Sequence, residues 1–596
     1  MSAPTITRDR TRSHIHHLFL LCVIILGAAS LLWAPHISSW HPPPLHIQVK
    51  PSHAATDVSA VAPFIFDSIQ GLLKQWPNSY APNGHSIVAG VVPANTALYH
   101  ARQRASRPSK PTFFAFDAEM SVGIYGGSGH SILDVYSTTR PLNIIYFDGQ
   151  SATLTSAGTL DSQMAVLQRH VPLYPPYNLV YDEDQRKFDL CRLAADLGID
   201  GIVRMNAGFE VLICDFDASK VRALFATNNS VPNPEAENTS LPHDPNRQPP
   251  RGYGNVFAEQ GSFEWLRSAS WHYEIPEPRI KLDLCRMVSF YDPALSSLAD
   301  AHHGGIVGNQ TYENGWGLRR GHRLLEIDED DVKLVRAWLK EDMASSSSPS
   351  LSVGAGCSGI DWHAMFAVIQ AQHGTRAREI AAVFEWNRET EQEQNAIVTR
   401  VHELSHAVLS AYVEYSSSTP KELAITRCSS MHTMLLDPST LARSERLLYH
   451  VVETVLKKLC TWEWDLFEWS EGHTSKYLAN NKSTKFRITA RDASLLDEIN
   501  EYRQQTTEVL NWMGWDTWTQ CERQCGPSEL CAIPAWPVVY APGLPQGGIY
   551  AGSNPRLTDE ETREFWRPKC VDRTDFDRGG GRGREPDYQL PDVPPY

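Results

Sequence analysis

Residues 87–100 read IVAGVVPANTALYH, and residues 113–125 read FFAFDAEMSVGIY. In the first stretch, two short runs rich in β-branched and aromatic residues, 87–92 and 97–100, flank the turn residues Pro93-Ala94-Asn95-Thr96. Such runs separated by a turn predict two strands. In the second stretch, an aromatic strand runs directly into a short helix. Mixed short strands and helices of this kind predict an α+β fold.

Further strands are predicted at 132–138 and 142–147, which are rich in β-branched and aromatic residues, and the segments 198–202 and 208–215 follow them in the same domain. Together with the first stretch they define an α+β domain. Downstream of residue 360 the apolar residues recur at helical spacing instead. We therefore predict a fold that combines an N-terminal membrane helix, an α+β domain, a mostly α-helical domain and a disulfide-rich C-terminal segment.

The composition is that of a globular protein, because 42% of the 596 residues are hydrophobic and 21% are charged. The net charge of −15 argues against a general nucleic-acid binder. Breaks in composition predict the following segments in order: cytoplasmic N-terminus 1–17, transmembrane anchor 18–34, stalk 35–60, α+β domain 61–225, linker 226–254, mixed connecting region 255–344, linker 345–358, helical domain 359–519, Cys-rich segment 520–570 and disordered tail 571–596.

Residues 18–34 form a run of 17 residues without a charged side chain. As a helix it spans about 25 Å, which is enough to cross a thin bilayer. Arg8, Arg10 and Arg12 precede it, so the positive-inside rule places the N-terminus in the cytoplasm and the body in the lumen or outside the cell. A cleaved signal peptide is the alternative, and it also sends the body into the secretory pathway.

Sequons and cysteines agree with that compartment. N-glycosylation sequons begin at Asn228, Asn238, Asn309 and Asn481. Of the 11 cysteines, Cys22 lies in the membrane run, and an even number remains for disulfides. The last four, Cys521, Cys525, Cys531 and Cys570, are disulfide candidates. A zinc site at these four is the alternative, and the pairing cannot be derived from the sequence.

The strand order resembles the ADP-ribosyltransferase-like fold, a split β-sandwich that binds NAD. The segments LYHAR, FFAFDAEMSVGIY and GIDGI…GFEVLICDF carry this resemblance. It implies that His100 holds the nicotinamide ribose, that Tyr125 stacks on the nicotinamide and that Glu210 stabilises the cationic transition state. Ala101 departs from the pattern, since the family usually has glycine after the histidine.

The whole chain also resembles a family of fungal membrane-anchored lumenal proteins of unassigned activity. The segments that carry this second resemblance are LYHAR, IYFDGQSA, GTLDSQ, DGIVRMNAGFEVLICDF, GIDWHAMF and CERQCGPSELCAIPAWP. It concerns the compartment and implies nothing about chemistry.

The sequence HELSH at 402–406 matches the zinc-protease pattern His402-Glu403-x-x-His406. In such a site the two histidines bind zinc and the glutamate activates water. The usual third ligand is missing. Leu409 stands where the extended zinc-protease motif has glycine, and Ile425 stands where a glutamate ligand is expected. On a helical projection the two histidines lie at or beyond the edge of the apolar stripe, which predicts a solvent-facing pair.

The sequence thus predicts a single-pass secretory-pathway glycoprotein that acts as a non-catalytic binding or scaffold protein. An NAD-using transferase through His100, Tyr125 and Glu210 is one alternative, and a zinc peptidase through His402 and His406 is another. No cofactor and no metal ligand are assigned. The membrane is the expected partner through residues 18–34; nucleic acid is not expected, and protein partners cannot be named.

Overall fold

The computed structural model describes residues 57–78, 81–102, 106–125, 131–153, 158–169, 171, 183–228, 255–298, 306–307, 310–311, 322–325, 327–344, 357–478, 494–515, 521, 523–532 and 568–572. The chain divides into two compact units, 1–55 and 56–596, and every described residue falls in the second. The predicted anchor at 18–34 lies outside the described residues. Among the helices that the structure does describe, none combines the length and the apolar character that crossing a membrane requires.

A nine-stranded sheet forms the centre of the second unit, with the order β8-β4-β2-β3-β7-β6-β5-β1-β9. Only the β5–β6 pair within it is parallel. The strands are β1 Ser86–Val92, β2 Ala97–Arg102, β3 Thr112–Ala115, β4 Ile132–Thr138, β5 Leu142–Phe147, β6 Gly201–Asn206, β7 Gly208–Ile213, β8 Val221–Asn228 and β9 Lys281–Ser289. Strand β9 comes from the segment that the sequence suggests is a mixed connecting region.

Helices cover both faces of the sheet. The helices are α1 Ala62–Gly71, α2 Ala118–Tyr125, α3 Asp161–Gln168, α4 Glu183–Leu197, α5 Asn255–Ser270, α6 Glu329–Ala344, α7 Trp362–Ile369, α8 Thr375–Phe384, α9 Glu391–Leu409, α10 Pro420–Ser430, α11 Arg443–Leu478 and α12 Leu495–Met513. Short strand pairs β10 Ile306–Val307 with β11 Gln310–Thr311, and β12 Glu529–Ala532 with β13 Lys569–Asp572, lie outside the main sheet. The α+β class is therefore confirmed.

Neighbouring residues of one strand enter different cores. Val211 of β7 belongs to the hydrophobic cluster that also contains α1 and the helices from α7 to α12. Leu212, the next residue, belongs to the cluster formed with α3, α4 and α6. Side chains alternate across a strand, so the two clusters lie on opposite faces of the sheet. We call the face of Val211 the bundle face and the face of Leu212 the rear face. All six residues of both β6 and β7 are buried, as expected for strands covered on both sides.

Two of the long helices begin at side-chain caps. Thr390 and Ser494 each form a capping box, with Glu393 and Asp497 respectively, at the starts of α9 and α12. Such reciprocal hydrogen bonds satisfy backbone N–H groups that have no partner in the first turn. Helix α12 ends at Gly514, whose φ of 68° is the left-handed conformation that glycine adopts without strain.

Five disulfides join the ten cysteines beyond Cys22, and the prediction of disulfide bonding is confirmed. The pairs are Cys191–Cys214, Cys285–Cys357, Cys428–Cys460, Cys521–Cys531 and Cys525–Cys570. The first pair joins α4 to the end of β7 on the rear face. The third pair joins α10 to α11. The last two connect the four C-terminal cysteines that the sequence identifies as disulfide candidates.

Arg443, at the start of α11, is an ionic link between α11 and the rear-face elements. Its Nη1 lies 3.4 Å from Asp292 Oδ2 and its Nη2 lies 3.5 Å from Asp342 Oδ2 on α6. Nη2 also donates to the Met287 carbonyl of β9 at 2.7 Å. Burial raises the pKa of Asp342 to about 6, and the Arg443 charge offsets this only in part.

This raised pKa predicts a pH dependence of stability. A carboxyl with a higher pKa in the folded than in the unfolded state stabilises the fold while protonated, and that stability is lost as the pH rises from about 4 to about 6. The melting temperature should therefore decrease over that range. In Asp342→Asn this part of the decrease should disappear, whereas Asp330→Asn, at an exposed position on the same helix, should retain it. An unchanged slope in Asp342→Asn would contradict the assignment.

Candidate functional site

The sheet register separates two of the residues predicted to bind NAD. Tyr99 of β2 pairs with Ala115 of β3, and Ala115 pairs with Glu210 of β7. Directly paired residues share a face of a sheet, and successive residues alternate. Glu210 therefore lies on the rear face with Tyr99, whereas His100, the next residue, lies on the bundle face. The structure does not bring His100 and Glu210 together.

His100 is held in place by the neighbouring strand. Its Nδ1 lies 3.0 Å from the Phe113 carbonyl oxygen, and its ring centroid lies 5.4 Å from that of Phe114. Burial lowers the pKa of His100, and the hydrogen bond to Phe113 offsets this only in part. Tyr125 is the last residue of α2, and its side chain lies outside what the structure describes. The NAD-binding roles therefore stay predictions.

Glu210 is instead part of a buried ionic network centred on Arg204. Arg204 of β6 is the direct cross-strand partner of Glu210. Its Nη2 lies 2.7 Å from Glu210 Oε1 and 2.6 Å from Oε1 of Glu183, the first residue of α4. Its Nη1 donates to Gln163 Oε1 on α3 at 3.3 Å. The Arg204 side chain is 3% exposed, so one guanidinium connects two strands and two helices away from water.

Phe113 packs against this network, and Arg186 extends it. The Arg204 guanidinium carbon lies 4.2 Å from the ring centroid of Phe113, a cation–π contact. Arg186, one turn further along α4, donates to the second oxygen of Glu183. We refer to Gln163, Glu183, Arg186, Arg204 and Glu210 as the arginine–carboxylate network.

The pKa values of the two carboxylates of the network are shifted in opposite directions. Burial raises the pKa of Glu210, and the charge of Arg204 does not compensate. Burial also acts to raise the pKa of Glu183, but the charges of Arg204 and Arg186 together outweigh it and lower the pKa overall. Separated values of this kind occur in acid–base pairs and also in structural ion-pair networks. Here Arg204 already bonds to both carboxylates, which favours a structural ionic link.

Polar residues that follow β5 connect to the same network. Gln163 Nε2 donates to the Ser151 carbonyl at 2.6 Å, and the Ser151 hydroxyl donates to the Phe147 carbonyl at 2.7 Å. Gln150 Oε1 accepts from the Ala207 N–H at 3.0 Å. These residues belong to the segments IYFDGQSA and GTLDSQ. Sequence reasoning assigned them no role, although polar residues directly after a buried strand are a recognised site signal in parallel pairs.

The HELSH motif lies on α9 against α11. His402 Nε2 is 3.2 Å from Glu471 Oε2, and the His402 and His406 rings lie 5.6 and 5.7 Å from the Phe467 ring. Both histidines are half-buried, so the prediction of a solvent-facing pair was wrong. Phe467 of the neighbouring helix α11 packs against both imidazole rings at the edge of the apolar stripe. Glu403 is 55% exposed and pairs with Arg400 at 2.8 Å.

Potential metal ligands converge elsewhere in the described part of the chain. One atom each of Asp117, His272 and Glu277 lie within 4.8 Å of one another. Arg279 occupies this position, since its Nη2 lies 3.0 Å from Asp117 Oδ1 and its Nε lies 2.6 Å from Glu277 Oε1. The guanidinium supplies the positive charge that a metal ion would supply. The other convergent groups in the described residues each include disulfide cysteines.

One predicted glycosylation site is described. Asn228 is the last residue of β8 and is exposed, as are the preceding residues 224–227. Strand β8 is an edge strand of the sheet. Asn238, Asn309 and Asn481 lie outside the described residues.

Comparisons with known proteins identify relatives without an assigned activity. A family model described as the YPL277C N-terminal domain matches residues 125–245, which include the arginine–carboxylate network. The uncharacterized protein YOR389W of Saccharomyces cerevisiae is 22% identical over 554 residues, covering 79% of this chain and 81% of that protein. The uncharacterized protein YPL277C of the same organism is 28% identical over 216 residues, covering 28% of this chain and 43% of that protein.

No solved structure matches the chain. The similarities to the two yeast proteins support a fungal family of unassigned activity. They leave the membrane anchor and the ADP-ribosyltransferase-like resemblance as predictions.

Proposed function

We propose that this chain is a single-pass protein whose disulfide-bonded body lies in the lumen of the secretory pathway or outside the cell and acts by binding another protein. The disulfides support this proposal most directly, because five bridges join all the cysteines beyond Cys22. Such bridges persist in oxidising compartments and are rare in the cytosol. The uncharged run at 18–34 with arginines before it supports the membrane anchor.

A binding role agrees with the chemistry of the candidate residues. Arg204 already bonds to Glu210 and Glu183, and Arg279 already bonds to Asp117 and Glu277. In each cluster the charges that a reaction would use are paired with one another. A rigid body with paired internal charges is suited to presenting a surface to a protein partner.

Topology is tested on sealed membrane vesicles that contain the full chain. The body should resist added protease until detergent is present, and it should shift in mobility after glycosidase treatment. Alkylation under denaturing conditions without a reductant should leave the ten cysteines beyond Cys22 unmodified. A protease-sensitive body with free thiols in sealed vesicles would overturn the proposal.

The binding role is tested against catalysis with the full chain in detergent. NAD hydrolysis should stay at the level of the buffer, and Glu210→Gln should not change it. Peptide hydrolysis with added zinc should likewise match a Glu403→Gln variant. A turnover that Glu210→Gln abolishes would replace the binding role with the transferase, and one that Glu403→Gln abolishes would replace it with the peptidase.

The exposed sequon at the end of β8 gives a separate prediction. Asn228→Gln should remove one N-linked glycan, seen as a single step of increased gel mobility that glycosidase treatment abolishes. Because the side chain is exposed, folding should be unaffected. Asn143→Gln, at a position on β5 without a sequon, is the control and should leave the glycan number unchanged. If Asn228→Gln migrates like the wild type, this site carries no glycan.

A further inference from the structure

Strand β8 is the last strand on one side of the sheet, and its outer edge is open. It pairs with β4, and residues 223–227 have no other backbone hydrogen bond in the described part of the chain. In a strand paired on one side only, alternate residues direct their N–H and C=O groups away from the neighbouring strand. The outer edge of β8 therefore presents a row of unpaired donors and acceptors.

The opposite edge of the sheet is bonded by side chains instead. Strand β9 is the last strand on that side. Arg443 Nη2 of α11 donates to the Met287 carbonyl at 2.7 Å, and the hydroxyl of Ser444 on the same helix donates to the Cys285 carbonyl. The molecule thus uses a helix to occupy one edge of its sheet, whereas the edge at β8 stays accessible.

Apolar side chains line the open edge. Leu224 and Phe225 are each 55% exposed. Natural proteins usually protect an edge strand with charged residues or proline, because an open apolar edge pairs with other chains. Residues 221–228 read VRALFATN and include no proline and only one charged residue, Arg222. This composition is typical of an edge that another strand covers.

A bulge places the charge and the exposed ring of β8 on one face. Leu224 has no partner on β4, so it is an extra residue in β8. Arg222 and Phe225 pair with Ser137 and Val135, which are two residues apart on β4 and therefore share a face of the sheet. Both Arg222 and Phe225 are exposed, so a strand added beside β8 would meet both side chains on the same face.

We propose that an extended segment of a partner protein adds to the sheet as a strand beside β8. This rests on the binding role proposed above and names the surface that carries it. Main-chain hydrogen bonds supply the affinity of such an addition, and side chains that alternate along the added strand supply its specificity. The added segment has an apolar residue opposite Phe225 and an acidic residue opposite Arg222.

A second copy of this chain fits the same edge less well. Residues 221–228 contain no acidic side chain. Two β8 strands paired with each other would therefore leave the Arg222 side chain of each copy without a carboxylate from the other strand. Complementary charges select the correct partner at an interface, so the charge of this edge favours a segment with an acidic residue.

The test uses the full chain in detergent and a fluorescent seven-residue peptide that alternates valine and threonine and carries one aspartate. Fluorescence anisotropy should show saturable binding, because the main-chain bonds that drive strand addition tolerate different sequences. Hydrogen exchange should slow at alternate residues within 222–227 when the peptide is bound. The same peptide with every amide N-methylated has no N–H donor and should not bind.

Three variants separate the open edge from the rest of the surface. Phe225→Lys adds a charge to the edge and should weaken peptide binding at least tenfold. Arg222→Glu should reverse the charge preference, so that a peptide with lysine in place of the aspartate binds more tightly than the original. Phe188→Lys, at an aromatic residue of α4 that is 40% exposed, should leave the binding unchanged.

Absence of peptide binding would overturn the proposal, as would binding that survives N-methylation or leaves exchange at 222–227 unchanged. Slow exchange of every amide from 222 to 227 in the free chain would also overturn it. If that protection increased with protein concentration, the occupant would be a second copy. Turnover that Glu210→Gln abolishes would remove the binding role without changing peptide binding, so the two proposals fail in distinguishable ways.

Discussion

Arg204→Met is expected to lower the free energy of unfolding by about 3–5 kcal/mol, the range measured when one partner of a buried ion pair is removed. Without the guanidinium, Glu210 and Glu183 lose the cation that Nη2 brings within 2.7 and 2.6 Å of them. Glu210 is then buried without a compensating charge, and Glu183 keeps only its bond to Arg186. Denaturant titration of the wild type and the variant measures the difference.

The control is the same substitution in an exposed ion pair. Arg400 is 46% exposed and pairs at 2.8 Å with Glu403, which is 55% exposed. Arg400→Met should therefore cost about 1 kcal/mol or less. Adding Glu210→Gln to Arg204→Met should recover part of the loss, because it removes the buried charge that Arg204→Met leaves without a cation. A cost for Arg204→Met as small as that of Arg400→Met would mean that the network contributes nothing to stability.

Removing the Cys285–Cys357 bridge is the second large effect. This disulfide closes a separation of 72 residues and fixes the segment before α7 to strand β9. The chain-entropy model predicts that Cys285→Ala with Cys357→Ala costs about 4 kcal/mol, because the unfolded chain regains that loop freedom. The melting temperature and the denaturant midpoint should both decrease.

The Cys191–Cys214 bridge provides the matched comparison. Its separation is 23 residues, so its removal should cost about 1 kcal/mol less by the same model. A larger loss from the shorter loop would show that native contacts, rather than the freedom of the unfolded chain, determine the contribution of these bridges.

The strands of the sheet could be predicted because their signals are local. The runs predicted at 87–92, 132–138 and 142–147 match β1, β4 and β5 within one residue at each end. Each is an apolar run bounded by turn residues. The apolar spacing from about 392 to 415 predicts one helix, but α9 ends at Leu409, because Tyr412 and Val413 pack back against Leu409 and Phe467. That packing comes from a helix distant in the sequence.

The sequence predicts one of the two charged neighbours of Glu210 but not the other. Arg204 and Glu210 are equally far from Ala207, which sits at the β6–β7 turn with a φ of 53°. A tight turn at this residue makes them cross-strand neighbours, so the pairing could have been inferred. Glu183 comes from a helix, and no local pattern indicates that it contacts Arg204. The placement of His100 on the other face depends on the register between β2 and β3, which also has no local signal.

The shared bundle-face core has a consequence for synthesis on the ribosome. Helix α1 ends at Gly71, but α11, which shares its hydrophobic cluster, begins at Arg443. At about 5–20 residues per second, the ribosome needs about 20–70 s to deliver the second helix after the first. During that interval the apolar side chains of α1, among them Phe66 and Ile69, lack their final covering. We therefore expect the leading helix of the nascent chain to stay accessible to chaperones until translation is nearly complete.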